Sequence, residues 1–350
     1  STPKPSSAAS DVYKRQIMSR SLWTNMEIEG ATKAHTNGRK WSAAGVSIDS
    51  RKVQPKDIFI AFRGSRVDGH CYVADAFEKG AAAAIVERKI DGLSEESPIL
   101  IVQNVQKALV QIACLARNRS EAEFVAVTGS VGKTSSKNLL AKALAQFDSV
   151  HATIGNLNNH IGAPLSLARL HGSSRFAVFE LGMNNTGEIA FLSNLIRPKV
   201  ALITNVHGVH LEQLKTERAI AEAKAEIFNG LSENGSVVLN QDNPWIDFLK
   251  SRAEKKGIKN IITFGEDKKS DVQLLEWQPG EGKSFVKIQR KNETYLYVLS
   301  ETGKHRALNS VGVLAVVHAL GLDIQHAAKC FESISTPVGR GGQKHINLTT

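Results

Sequence analysis

The chain has 350 residues, 42% of them hydrophobic and 22% charged, with a formal net charge of +10. That length accommodates two domains with separate cores, and the composition is that of an ordinary soluble globular protein. The longest nearly apolar stretch, Val311–Leu322, is about a dozen residues and contains His318, too short to span a bilayer, so no membrane insertion is expected.

Three scattered cysteines, Cys71, Cys114 and Cys330, form no C-x-x-C pair, which argues against a disulfide framework and fits a cytoplasmic location. The positive charge suits phosphorylated ligands but is spread along the chain. No arginine-rich arm, zinc spacing or aromatic–basic platform points to nucleic acid.

Residues 1–17 are rich in Ser, Pro and Ala and read as a disordered or non-native tail before a candidate start at Met18. Residues 18–120 read as a small α/β domain. It opens with Gly45–Arg51, an apolar strand running into polar residues, and further strands fall near 57–62, 81–86 and 98–102, with helices at 73–79, ending at Gly80, and 105–118. Asp49-Ser50-Arg51 after the first strand is either a turn closed by an Arg–Asp pair or a ligand contact, and the pattern alone favours the turn.

Residues 121–336 read as a second domain that alternates strand and helix. Strands are expected at 124–128, 176–181, 200–205 and 236–240, with a further pair at 260–264 and 284–299. Helices are expected at 133–146, 161–170, 187–195, 217–231 and 307–320. Such alternation predicts an α/β fold with a doubly wound, mainly parallel sheet and ligands at the carboxyl ends of its strands.

The densest signal is Phe124–Ala143, FVAVTGSVGKTSSKNLLAKA. An apolar strand meets a glycine turn and then a helix, the setting of a phosphate-binding loop. Gly129, Ser130, Val131, Gly132, Lys133, Thr134 and Ser135 would supply backbone N–H groups, a mobile cation and a hydroxyl for Mg²⁺. The general G-x-x-x-x-G-K-[ST] form needs glycine at position 127, where this chain has Val127, so the loop is a narrower T-G-x-x-G-K-T variant. A turn that binds nothing is the alternative.

Glu180 ends the next apolar strand and is either a solvated carboxylate or a Mg²⁺ ligand. His210 is weaker taken alone, because Mg²⁺ prefers oxygen. Lys224 sits in A-E-A-K-A-E, where pattern alone favours a plain surface charge.

Together these motifs resemble the Mur ligases. The resemblance rests on T-G-S-V-G-K-T, on Gly155-Asn156-Leu157-Asn158-Asn159-His160-Ile161-Gly162-Ala163-Pro164-Leu165 and on Glu180-Leu181-Gly182-Met183-Asn184. It rests also on Thr204-Asn205-Val206 with His210-Leu211-Glu212, and on Ala223–Phe228. The Asn158-Asn159 block and E-L-G-M-N point within the family to the activity that joins D-alanyl-D-alanine to UDP-N-acetylmuramoyl-tripeptide.

The resemblance implies an ATP- and Mg²⁺-dependent ligase working through an acyl phosphate, expected to be a monomer. It assigns Lys133 to the β- and γ-phosphates, Thr134 and Glu180 to one Mg²⁺, and His210 with a carbamylated Lys224 to a second. Catalysis would rest on Lys133, His210 and Lys224. Asn309 would contact adenine, with Arg306 where Asn is commoner, and Arg340 would join the nucleotide contacts. Ser50, Arg51, Asn158 and Asn159 would bind substrate, reversing the turn reading of 49–51.

The family has a third domain after a hinge like Pro337–Gly341. This chain stops at Thr350, so that domain is expected to be absent and turnover by the chain alone to be slight. A folate-polyglutamylating or tripeptide-forming relative, and a regulatory nucleotide-binding protein without catalysis, are the alternatives.

Overall fold

The computed structural model describes residues 21–64, 67–208 and 216–333. The 1–17 tail, His210, Arg340 and the 337–341 hinge lie outside the described residues. The chain forms two compact units. One holds the described residues up to Ser120 together with Pro164–Gly172, and the other holds Glu121–Ala163 and the described residues from Ser173 onward.

In the first unit the strands Gly45–Ser47, Asp57–Ile60, Ala83–Val86 and Ile99–Ile101 form a parallel sheet, with His35–Thr36 antiparallel at one edge. Asp57–Ile60 and Ala83–Val86 are buried along their whole length, as parallel strands covered on both faces should be. Phe59, Val73, Ala76 and Val86 belong to the apolar core.

A helix at Asn25–Thr32, not anticipated, starts with a capping box in which Thr24 and Glu27 satisfy each other's backbone N–H groups. Pro164–Gly172 also belongs to this unit, although the motif order had suggested the second domain. The Trp23 indole donates to Ala168 O at 2.9 Å, and Arg169 Nε donates to Val46 O at 2.6 Å.

The second unit is built on a nine-stranded sheet. Its strands are β1 (Glu123–Thr128), β2 (Val150–Ala152), β3 (Phe176–Glu180), β4 (Val200–Ile203), β5 (Ser236–Asn240), β6 (Asn260–Gly265), β7 (Val272–Pro279), β8 (Ser284–Arg290) and β9 (Glu293–Leu299). Helices α1 (Lys133–Leu144), α2 (Glu188–Ile196), α3 (Glu217–Ala225), α4 (Ile246–Lys255) and α5 (Lys304–Ala319) lie between and after them.

The strand order is β9-β8-β7-β6-β5-β4-β1-β3-β2, parallel from β7 to β2 and antiparallel from β7 to β9. From β1 the chain crosses to the β2 edge, returns to β3 beside β1, then passes to β4 on the other side. That reversal makes the carboxyl ends of β3, β1 and β4 the switch point, where a doubly wound sheet opens a crevice.

The expected strand at 284–299 is two strands joined at Lys291-Asn292, with Lys291 in the left-handed region at φ 52°. Strand β7 escaped the pattern because a register shift between Leu274 and Glu276 breaks its alternation. Helix α4 was not anticipated either. Strand β4 stops at Ile203, short of the expected 205, and releases Thr204 and Asn205 for other work. The apolar stretch from Val311 is the buried part of α5, and among the described residues no helix is long and apolar enough to cross a membrane.

Candidate active site

Three strand tips meet at the switch point, and each delivers a polar group. From β1 comes the glycine turn. Gly129 has φ +151° and Gly132 φ +86°, and Gly132 is the N-cap of α1 and makes no side-chain cap, which suits a helix start that meets an anion. Both glycines are also required sterically. A Cβ on Gly129 would strike the Thr204 hydroxyl, and one on Gly132 would come within 2.6 Å of Asn309 Nδ2.

The tip of β4 holds the turn in shape. Val131 N donates to Asn205 Oδ1 at 2.9 Å and Ser130 N to Asn205 O at 3.0 Å. Thr204 Oγ1 donates to Val131 O at 2.7 Å, and Ser130 Oγ donates to His207 O at 3.0 Å. Thr204, Asn205 and His207 are supporting residues that the sequence pattern did not assign to the site. Their signal was two polar residues directly after a fully apolar strand.

Lys133 Nζ folds back over the turn, donating to Gly129 O at 2.7 Å and Ser130 O at 3.2 Å. Burial pushes its ammonium below the usual lysine range, and the charge of Glu180 opposes that shift. Glu180, at the tip of β3, is buried rather than solvated. Its Oε1 accepts from Asn158 Nδ2 at 2.8 Å, while Oε2 is buried with no hydrogen-bond partner. A buried carboxylate oxygen left unpaired is costly unless something cationic meets it, so the residues present fit a divalent cation bound at this oxygen.

Lys224 is 2% exposed, which corrects the plain surface reading. Burial, and secondarily the charge of Lys133, lowers its pKa to about 7. An amine in that range is neutral in a large fraction of molecules near neutral pH.

Asn309 on α5 lies against the turn and lines a cavity of about 830 Å³ together with residues 131–135, Leu299, His305 and the ion pair of Arg306 with Glu301 at 3.2 Å. The volume and the mixture of aliphatic and polar walls suit a nucleotide.

The remaining expected residues divide. Asn158 braces Glu180. Asn159 is exposed, and its Oδ1 accepts from Gly162 N at 2.8 Å and Ile161 N at 3.2 Å, capping the helix that follows. Ser50 and Arg51 lie in the first unit on a one-turn 3₁₀ helix. Arg51 is exposed and forms a two-pronged pair with Asp49, both contacts 2.9 Å, and its guanidinium holds the Asp49 carboxyl below the usual range.

A glycine turn opening a helix, a half-buried lysine on it and a buried carboxylate at the neighbouring strand tip make a framework suited to a nucleotide's phosphates. Residues 127–317 match the Mur ligase middle domain, and residues 42–117 match the catalytic domain of the Mur ligase family. The chain belongs to the Mur ligase family, a family of ATP-dependent ligases that form amide bonds.

It is 37% identical over 304 residues to a UDP-N-acetylmuramoyl-tripeptide–D-alanyl-D-alanine ligase of Rickettsia prowazekii, covering 87% of this chain and 67% of that protein. A crystal structure of MurF from Acinetobacter baumannii superposes with TM-score 0.82 at 29% identity, over 92% of this chain and 71% of that one. MurF ligase from Thermotoga maritima in complex with ADP superposes with TM-score 0.70 at 31% identity, over 85% and 67%. The chain thus spans about two thirds of the length of the relatives it matches.

Proposed function

We propose that this chain carries the sugar-nucleotide-binding and ATP-binding portions of a ligase that joins D-alanyl-D-alanine to UDP-N-acetylmuramoyl-tripeptide, in the cytoplasm and as a monomer. The observation that carries the chemistry is the unpaired Glu180 oxygen, on a carboxylate whose charge acts on the Lys133 ammonium at the start of α1. The similarity to D-alanyl-D-alanine ligases supports the substrates. Residues 18–120 would bind the UDP sugar, with Ser50 and Arg51 among the contacts, and residues 121–336 would bind ATP.

The tripeptide's terminal carboxylate attacks the γ-phosphorus of ATP, forming an acyl phosphate and releasing ADP. The amine of D-alanyl-D-alanine then attacks the acyl carbon, and phosphate leaves from the tetrahedral intermediate. Two anions must meet in the first step, so the site's task is charge neutralisation. Lys133 and the N–H groups at the start of α1 hold the phosphates, the N–H groups of Ser130 and Val131 being taken by Asn205, and Asn309 faces the base.

Mg²⁺, when bound, supplies further charge neutralisation; Thr134 and Glu180 would hold one ion, and His210 with a carbamylated Lys224 a second. Carbamylation turns an ammonium into an oxygen ligand and requires the neutral amine, which the burial of Lys224 provides.

The test is ADP release by the product of the whole reading frame, with UDP-N-acetylmuramoyl-tripeptide and Mg²⁺, in the presence and absence of D-alanyl-D-alanine. Dipeptide-dependent turnover is expected, and turnover indifferent to the dipeptide would sink the assignment.

A further inference from the structure

A lysine to which this chemistry gives no part lies one turn along α1 from Lys133. Lys137 is 2% exposed, and an ammonium is withdrawn from water to that degree only where its N–H groups are met by acceptors. Its Nζ donates to Thr153 O at 2.5 Å. Thr153 follows directly on β2, and its own N–H donates to Val178 O at 3.0 Å, extending the pairing with β3. Its hydroxyl accepts from the N–H of Glu180 at 3.4 Å.

From Thr153 the chain runs out through Ile154, Gly155 and Asn156, all exposed. It comes back at Asn158, whose amide holds Glu180 Oε1 and whose carbonyl accepts from Gly182 N at 2.8 Å. The excursion is an exposed loop with little regular pairing, fixed at its root by Lys137 and ending on Asn158, whose side chain holds the Glu180 carboxylate.

We infer that Lys137 is a positioning residue for Glu180. By pinning the Thr153 carbonyl it sets the path of 153–158, so that Asn158 occupies one carboxylate oxygen and leaves the other facing the site. The metal part of this inference rests on the function proposed above; the positioning part does not. Lys137 also lines the cavity of about 830 Å³, but its ammonium meets the Thr153 carbonyl, whereas that of Lys133 lies on the phosphate turn itself.

The experiment compares the wild type with Lys137→Met, which keeps the length and removes the donor, and with Lys137→Arg, which keeps a donor. Lys137→Gln serves as the milder change should the Met variant fail to fold. Hydrogen exchange is followed first on nucleotide-free protein. Lys137→Met should raise exchange across 153–158 about tenfold and leave β5 unchanged, with Lys137→Arg restoring most of the protection.

ATP affinity is then measured with Mg²⁺ and with EDTA. The gain in affinity on adding Mg²⁺ should fall about tenfold in Lys137→Met. It should fall similarly in Asn158→Ala, and no further in the double variant, while affinity in EDTA stays near the wild-type value. Unaltered exchange at 153–158 overturns the proposal. So does an equal loss of ATP affinity with and without Mg²⁺, which would make Lys137 a contributor of charge to the nucleotide site. If wild-type protein binds no Mg²⁺–ATP, the functional reading fails, and the exchange result alone decides the positioning role.

Discussion

Two strand ends in this molecule carry a cation just beyond the carboxyl end of a parallel strand, and they treat it in opposite ways. In the first unit Gly45–Ser47 gives way to a 3₁₀ turn whose Arg51 is fully exposed and paired with Asp49 two residues away. In the second, β1 gives way to a turn whose Lys133 is largely buried and folded onto two backbone carbonyls.

The Arg51 charge is neutralised locally, within its own turn. Lys133 has no such carboxylate in its own turn, and its ammonium meets two backbone carbonyls instead. Lys133, Lys137 and Lys224 are all withdrawn from solvent, and Glu180 is the only buried carboxylate of the second unit among the described residues. A charge held in a dry pocket acts on an arriving anion far more strongly than one at an exposed turn, because the field there is less screened. The contrast separates a turn that would suit the phosphate chain of the proposed ATP from a turn whose charge is already paired.

The largest effect expected from breaking the prepared side is at Lys133. Lys133→Ala should weaken ATP binding or turnover by about a hundredfold or more, measured by equilibrium titration and by ADP release. Near-normal values would show that the buried charge serves stability alone. Glu180→Gln is the next step, since it keeps the shape and the hydrogen bond to Asn158 while removing the charge. It should cost about 10- to 100-fold in the Mg²⁺ concentration needed for half-maximal ATP affinity. A Mg²⁺ dependence equal to the wild type would remove Glu180 from the metal site.

How much of this was legible in the sequence follows the same division. The phosphate turn could be read directly, because glycine, lysine and threonine at fixed offsets between an apolar run and a helical period seldom coincide without a phosphate to bind. The parallel strands around it were legible for a related reason, since a strand buried on both faces is an uninterrupted apolar run. Strands β7 to β9 were only half legible. Their one exposed face dilutes the apolar signal, a register shift interrupts β7, and the Lys291-Asn292 turn lacks the glycine that usually marks a tight hairpin.

Burial of Lys224 was invisible in the pattern, where a lysine among alanines and glutamates looks the same from either side of the surface, and only the resemblance called for it; burial of Lys137 was not read at all. Asn158 and Asn159 were read as a pair, yet one braces Glu180 and the other caps a helix. Adjacent residues on an irregular segment point in different directions, and nothing in their spacing tells which.

Lys224 sharpens the comparison through pH. Its amine titrates at about 7 in the folded chain against 10.5 for an ordinary lysine. Between those values the unfolded chain holds a proton that the folded chain has lost, so stability rises with pH across the window. The destabilisation is therefore full below about pH 7 and is relieved as the pH climbs toward 10.5. In Lys224→Met that contribution disappears. The stability difference between variant and wild type, from urea unfolding at pH 6.5, 8 and 9.5, should shrink as pH rises, by no more than about 1.4 kcal/mol per pH unit. A difference independent of pH would mean that the amine stays charged after folding, and it would remove the ground for carbamylation.

The smallest effect on the fold belongs to the exposed side of the comparison. Arg51→Ala deletes a solvent-facing partner of Asp49, and pairs of that kind contribute little to stability. The thermal midpoint should therefore stay where it is, and the turn should persist, since Asp49 Oδ1 still accepts from the N–H of residue 51. What should change is binding of the sugar nucleotide. If Arg51 releases Asp49 to meet the pyrophosphate, the variant loses a charge-assisted contact and its affinity for UDP-N-acetylmuramoyl-tripeptide falls about tenfold, while ATP affinity is untouched. An unchanged affinity for the UDP sugar would return residues 49–51 to the plain turn that their geometry already satisfies.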